Sequence, residues 1–368
     1  MRRVLLALLA PVAALVFSLA VAAVALALVG RSPLEAFAAM WDFARTSTSV
    51  ASMINRAVPL YISAVAVAVG FQMGLFNIGV EGQYLLAALF AGWVGGNIVL
   101  AAPLHVAVII AVAVVVGMAW AGIAGALKVT RGVHEVISTI MLNFIAFSLI
   151  AYLLLNHFRD DPDRLNLQTP ALPESGRIPS LNWLFSALGF SEPRGIDLHG
   201  FALFAIVVGV FYYLLVWRTR FGFELRSSGL NPGAARMAGV EPNRMIMNTM
   251  FLSGGIAGLV GLSTIFGNLQ AYTQDFPRFL GFNGIAVALL GRNHPVGMAL
   301  GALLFGFMER SALILDLEET PKEVVTIMQG VVVLAVVVAY EVVTRIIERY
   351  EIRRAAEATR ASGEEVGG

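Results

Sequence analysis

Long apolar runs separated by short polar breaks occupy most of the chain. Ten of them approach the length of a membrane span, at about 4–29, 57–74, 80–100, 103–127, 136–155, 200–217, 245–268, 279–291, 296–315 and 323–345. About twenty apolar residues in helical conformation cross a bilayer core. The pattern therefore predicts an all-α polytopic membrane protein with about ten transmembrane helices. The second, third and eighth runs are short or interrupted by glycine. The first follows Arg2 and Arg3 and is longer than the roughly 7–15-residue core of a signal peptide, so it reads as a retained helix.

Lysine and arginine in the short connections set the orientation. With the N-terminus in the cytoplasm, that side receives Arg2 and Arg3, then Lys128 and Arg131, then Arg218, Arg220, Arg226, Arg236 and Arg244, then Arg292, and last the tail from Arg345 to Arg360. The opposite side receives the acidic stretches at 160–163 and 316–319. An even number of spans with both termini cytoplasmic satisfies this bias throughout. The expected organisation is a transmembrane domain over 1–345 and a cytoplasmic tail over 346–368. The membrane domain carries an external loop at 156–199, with a short surface helix around Leu181–Leu188, and a cytoplasmic loop at 217–244.

Composition sharpens this picture. Hydrophobic residues make up 58% of the 368 and charged residues 13%, half the share usual in soluble domains. The solvent is mostly lipid. A net charge of +1 gives no electrostatic case for nucleic acid. The absence of cysteine excludes disulfides, thiolate metal sites and cysteine nucleophiles. Five scattered histidines lack metal-binding spacing, and no P-loop, nucleophile elbow or His-Glu-x-x-His pair is present. No catalytic residue and no metal site is expected, and the chain does not read as an enzyme.

Three polar clusters interrupt the apolar pattern. The first is Gly74-Leu75-Phe76-Asn77-Ile78-Gly79-Val80-Glu81-Gly82-Gln83. Backbone groups freed by glycine need partners in lipid and are tolerated around a water-filled cavity or inside protein. The cluster reads as a broken element along a translocation path, or as a tight turn with Glu81 near the start of the next helix, where the dipole favours an anion; the two readings are compatible. The second cluster, Gly281-Phe282-Asn283-Gly284, repeats a Phe-Asn core beside glycine and suggests two pseudo-symmetric halves with the path between them. Phe71, Gln72, Phe76, Asn77, Glu81, Gln83, Asn143, Phe282 and Asn283 are the candidates for the path or its gate.

The third cluster lies in the cytoplasmic loop. Asn231-Pro232 reads as an N-cap with proline at the first helical position, Ala234 to Ala238 as a small-residue helix, and Gly239 as its stop. Such a helix suits docking against a cytoplasmic partner, although a basic loop is also what the positive-inside bias alone would produce. Arg226, Gly229, Asn231, Pro232, Ala234, Ala235 and Gly239 are the candidate contacts. Glu309-Arg310, near the outer end of a span, reads as an ion pair or interface anchor.

At these clusters the sequence resembles the permease subunits of ABC importers in the branched-chain amino acid/ribose permease superfamily, in the branch that handles nucleosides and simple sugars. The resemblance rests on GLFNIGVEGQ at 74–83, HEVISTIMLNFIA at 134–146, FGFELRSSGLNPGAARMAGV at 221–240 and GFNGIAVALLGRNHPVG at 281–297. It implies a cell-membrane assembly of this chain with a second identical or homologous permease, a cytoplasmic ATPase that binds ATP and magnesium, and an extracytoplasmic substrate-binding lipoprotein. The substrate would be a nucleoside, with a ribose-like sugar or a branched-chain amino acid as the alternatives, and no cofactor would bind this chain. In that picture 229–239 is the coupling helix. An ion-coupled secondary transporter would place more charge at mid-membrane than this chain does, and a scaffold would gain nothing from the glycine breaks.

Overall fold

The computed structural model describes residues 32–161 and 166–317, with scattered positions at 20–30 and 327–338. Much of the expected spans at 4–29 and 323–345, and all of the tail at 346–368, lie outside the described residues. The chain divides into two compact units, one made of Met1–Phe43 with Ser311–Gly368 and the other of Ala44–Arg310. Helix α1 (Pro33–Ala44) belongs to the first and buries Ala36 and Met40, four positions apart on one face.

The second unit is a bundle of helices. They are α2 (Ser47–Gln72), α3 (Val80–Asn97), α4 (Ala102–Arg131), α5 (Glu135–Asn156), α6 (Trp183–Ala187), α7 (Ala202–Arg218), α8 (Arg220–Leu230), α9 (Pro232–Met237), α10 (Pro242–Gly258), α11 (Leu280–Leu290) and α12 (Pro295–Leu317), whose residues from Ser311 onward are assigned to the first unit. Among the described residues the β-structure amounts to one isolated antiparallel bridge between Gln168 and Thr273. Among the described residues, five helical stretches are long and apolar enough to cross a membrane: α2, α4, α5, the run Pro242–Leu269 that begins with α10, and Pro295–Ile314 of α12.

Helix α2 is the centre of the bundle. Every residue from Ile62 to Gly70 is buried, which an apolar helix achieves only inside protein. By contrast, α4 and α5 expose Val115, Ile123, Ile137, Phe144 and Ile145, the surface expected of helices that face lipid. Helices α4 and α10 approach closely at glycine. A Cβ on Gly117 would lie 2.2 Å from the Gly254 carbonyl oxygen, so neither residue tolerates a side chain. Small residues draw membrane helices together in this way.

The structure departs from the sequence expectations at four places. Helix α2 starts ten residues earlier than the apolar run, at Ser47, where Thr46 accepts a hydrogen bond from the Ser49 N–H at 3.2 Å. The expected span at 245–268 is interrupted: α10 ends at Gly258, and a π turn over Ile265–Leu269 contains Gly267 at φ −85°, ψ −111°. The eighth expected span is α11, whose 11 residues reach about 16 Å at 1.5 Å per residue, half a bilayer core. The basic loop holds a second helix, α8, bent by 71° from α7.

Candidate functional site

The first glycine-broken cluster folds into a knot at the arginine-rich end of the bundle. After α2 the chain turns through 73–79 and enters α3 at Val80. Asn77 fills all four hydrogen-bonding positions of its amide. Its Nδ2 donates to Gln83 Oε1 at 3.1 Å and to Ser253 Oγ at 2.9 Å. Its Oδ1 accepts from the Gly79 N–H and from Gln83 Nε2, both at 3.0 Å. Ser253 then donates to the Ala66 carbonyl at 2.7 Å, which ties α10 to α2. Asn143 on α5 completes the knot, accepting from the Gly82 N–H at 2.9 Å and donating to the Ile78 carbonyl at 3.0 Å. The backbone groups freed by the break are therefore satisfied by amide side chains inside protein.

Glu81 joins this knot to the second cluster. It is 1% exposed and lies in the first turn of α3. Its carboxylate reaches away to the start of α11, accepting from the Phe279 N–H at 2.6 Å and the Gly281 N–H at 2.8 Å. An anion there satisfies unpaired donors and sits at the positive end of the helix dipole. The sequence put Glu81 at the start of its own helix, and the structure shows it capping a different one. Tyr84 sits one turn on, its hydroxyl 2.8 Å from the Pro277 carbonyl and 3.1 Å from Glu81 Oε1, so its single proton serves one acceptor at a time.

The segment held by Glu81 and Tyr84 forms part of a cavity of about 650 Å³ at the end opposite the basic loop. Pro277 and Leu280 line it from α11 and its approach. Ser52, Asn55, Arg56 and Pro59 contribute from the early turns of α2, Ile196, Asp197 and His199 from the long loop, Ser263, Thr264, Gly267, Asn268 and Leu269 from the interrupted span, and Glu309 from α12. This explains why α2 begins with polar turns outside the apolar run: those turns face the cavity. Glu309 lies 3.5 Å from Arg56, while the neighbouring Arg310 donates to Ser49 Oγ at 3.4 Å. Burial pushes the His199 pKa below its ordinary 6.5, opposed by Asp197 and a backbone hydrogen bond to Ser263.

None of the nine path candidates is among the residues that line this cavity. Asn77, Glu81, Gln83 and Asn143 come together as the buried support beside it. Phe71 and Phe76 pack on each other with ring centroids 5.1 Å apart, Gln72 is half-buried at the end of α2, and Phe282 and Asn283 sit in the first turn of α11. Sequence reasoning missed Arg56, Asp197, Asp275 and the role of His199. The only signal for them was polarity at the ends of apolar runs, which interfacial residues share.

The short helix of the basic loop forms with the caps that the spacing predicted. Asn231 Oδ1 accepts from the Ala234 N–H at 3.0 Å, Pro232 opens α9, and Gly239 follows it at φ 82°. Ala235 is buried beneath, while Pro232, Ala234 and Gly239 are exposed, as are Leu230 (88%) and Met237 (92%). Arg226 holds the α7–α8 bend by donating to the Val216 carbonyl. Gly229 packs against the end of α2, where a Cβ would lie 2.6 Å from the Gln72 oxygen and 2.7 Å from the Met73 carbonyl carbon. On the other flank, Lys128 and Glu135 pair at 2.6 Å, and Glu135 accepts from the Phe76 N–H at 3.4 Å.

Comparison with known proteins adds the family. Residues 49–337 match the family described as the permease component of branched-chain amino acid transport systems. The guanosine ABC transporter permease protein NupP of Bacillus subtilis is 35% identical over 338 residues, covering 91% of this chain and 94% of that one. The glucose ABC transporter permease protein TsgB13 of Haloferax volcanii is 34% identical over 328 residues, 88% and 85%. The nucleoside ABC transporter permease protein NupB of Lactococcus lactis is 30% identical over 366 residues, 97% of each. No solved structure matches. A multi-pass helical bundle matched by this family over most of its length is a membrane permease: the chain belongs to the branched-chain amino acid transport system permease family of ABC transporters.

Proposed function

We propose that this chain forms the translocation path of an ATP-driven importer for nucleosides. The observation that carries the reading is a polar cavity walled by apolar spans at the end away from the basic loop, with one wall hydrogen-bonded to a knot that reaches that loop. Two relatives named for guanosine and nucleosides, matched over 91% and 97% of the chain, support the cargo class.

In this reading the arginine-rich end is cytoplasmic, and α9 docks on an ATPase that binds ATP and magnesium. An extracytoplasmic binding lipoprotein delivers cargo to the cavity, and a second permease, identical or homologous, completes the assembly. Movement of α9 passes through Gly229 to the end of α2, through the 73–79 turn to Asn77, and through Glu81 to the cavity wall at 277–281. A sugar importer is the second reading, favoured by the glucose permease relative and by the polar cavity walls.

The test is reconstitution of the chain with its ATPase and binding protein in vesicles, followed by ATP-dependent uptake of labelled guanosine, glucose and leucine. Guanosine uptake above the other two is expected. Glucose uptake without guanosine uptake moves the assignment to the second reading, and uptake that persists without nucleotide overturns the ATP-driven mechanism.

A further inference from the structure

The chemistry of the cavity walls bears on which part of a cargo they contact. Among the described residues, four charged side chains line it: Arg56, and the carboxylates of Asp197, Asp275 and Glu309. With His199 neutral these carry a formal net charge of −2, and Arg56 is already directed at Glu309, 3.5 Å away. Arg278 and Arg310 are sequence neighbours of the site that do not line it. Amide and hydroxyl groups from Ser52, Asn55, Ser263, Thr264 and Asn268 fill out the polar surface, and the remaining described lining is His199, glycine, proline and aliphatic side chains.

Among the described residues, no phenylalanine, tyrosine or tryptophan lines the cavity. Its one planar ring, His199, packs against the Gly267 backbone, where a Cβ would fall 2.3 Å from Cε1. A planar base gains most from an aromatic platform, and this cavity offers none open on both faces. Carboxylates and amides pair well with hydroxyl groups, which both donate and accept. A phosphate entering a net-negative cleft with low-dielectric walls meets repulsion that bulk water would otherwise screen.

We infer that this cavity is a binding site for a neutral polyhydroxylated group, the sugar portion of the cargo rather than its base, and an electrostatic barrier to phosphorylated forms. The inference rests on the proposed transport reading for its cargo, but its charge selectivity can be measured without transport.

The sequence contains no cysteine, so an Asn268→Cys variant carries the only thiol of this chain. Asn268 is exposed within the cavity lining. In the reconstituted complex, that thiol is labelled with a trimethylammonium-ethyl and a sulfonatoethyl methanethiosulfonate, each rate being normalised to the same reagent on a free thiol. The cationic reagent is expected to react about tenfold faster or more, and Asp197→Asn with Asp275→Asn should bring the ratio toward one. Ribose and guanosine should slow labelling; guanine and guanosine 5′-monophosphate should not. Ile196→Cys reports from another wall if the first variant does not assemble.

A ratio at or below one overturns the barrier. Protection by guanine equal to that by guanosine, or protection by neither ribose nor guanosine while uptake proceeds, overturns the sugar site. Protection and charge ratio as expected, with no uptake of any nucleoside or sugar, sinks the transport reading and leaves the site standing.

Discussion

The carboxylate of Glu81 holds the backbone N–H of Gly281 at 2.8 Å across 200 positions of sequence. One side chain thus joins the two glycine-broken clusters, fixing the start of a half-length helix to the first turn of another. A half-helix inside a bundle has free N–H groups that lipid cannot satisfy. Glu81 satisfies two of them, at Phe279 and Gly281.

Replacing Glu81 with alanine leaves both donors buried and unpaired, at a cost of about 1–3 kcal/mol each. The predicted result is a several-fold loss of ATP-dependent uptake, with the protein still inserted in the membrane. Glu81→Gln keeps one acceptor oxygen and should fall between. Uptake normalised to membrane abundance is the measurement, and wild-type uptake by the alanine variant would detach Glu81 from the transport cycle.

Gly229 tests the route from the basic loop. Its Cα faces the end of α2, where the Gln72 oxygen would lie 2.6 Å from an added Cβ. The clash is with backbone, so relief requires the loop to lift away. Gly229→Val should let ATP hydrolysis continue while uptake per ATP falls by about tenfold, a coupling change of about 1.4 kcal/mol. A proportional loss of both rates would mean that the valine disrupts assembly rather than coupling.

Local signals in the sequence carried far. The capping pair Asn231-Pro232 and the stop at Gly239 delimited α9 because those signals are read within one turn. Apolar runs located most helices because burial in lipid or protein demands them. Two features were not legible. The polar start of α2 looked like a loop, since nothing local tells a polar turn facing a cavity from one facing water. The partners of Asn77 and Glu81 are also long-range: both residues were marked as costly in lipid, but periodicity carries no information about Ser253 or Gly281. The polar pattern therefore named most residues of the knot without revealing that they satisfy one another, leaving the cavity to other residues.

The amide pair at the knot should be energetically coupled to α10. Asn77→Ala strands the buried Gln83 amide and Gly79 N–H, and takes one donor from Ser253 Oγ, which keeps its bond to the Ala66 carbonyl. Its thermal midpoint in detergent should drop, with about 1–3 kcal/mol for each stranded group as the upper scale. A cycle with Ser253→Ala should give a coupling energy of about 0.5–2 kcal/mol, as residues in one network do not add. Additive effects would mean that the 2.9 Å contact stabilises nothing.

His199 gives the pH prediction. Burial disfavours its charged form and lowers its pKa below 6.5, more than Asp197 and the Ser263 backbone restore. Its folded pKa thus lies below the unfolded value. The neutral ring's contribution to stability is fully present above about pH 6.5 and is lost as pH falls through that value toward the lower folded pKa, because unfolding then takes up a proton. The thermal midpoint of the solubilised protein should be nearly flat from about pH 8 to 7 and fall on acidification to about pH 5. Carboxylates add to any acid slope, so the comparison is with His199→Gln, which cannot titrate and still offers an amide of similar reach. The variant should retain a shallower slope over the same window. Superimposable pH profiles for the two proteins would mean that His199 is solvated as freely in the folded chain as in the unfolded one, contrary to its packing against Gly267.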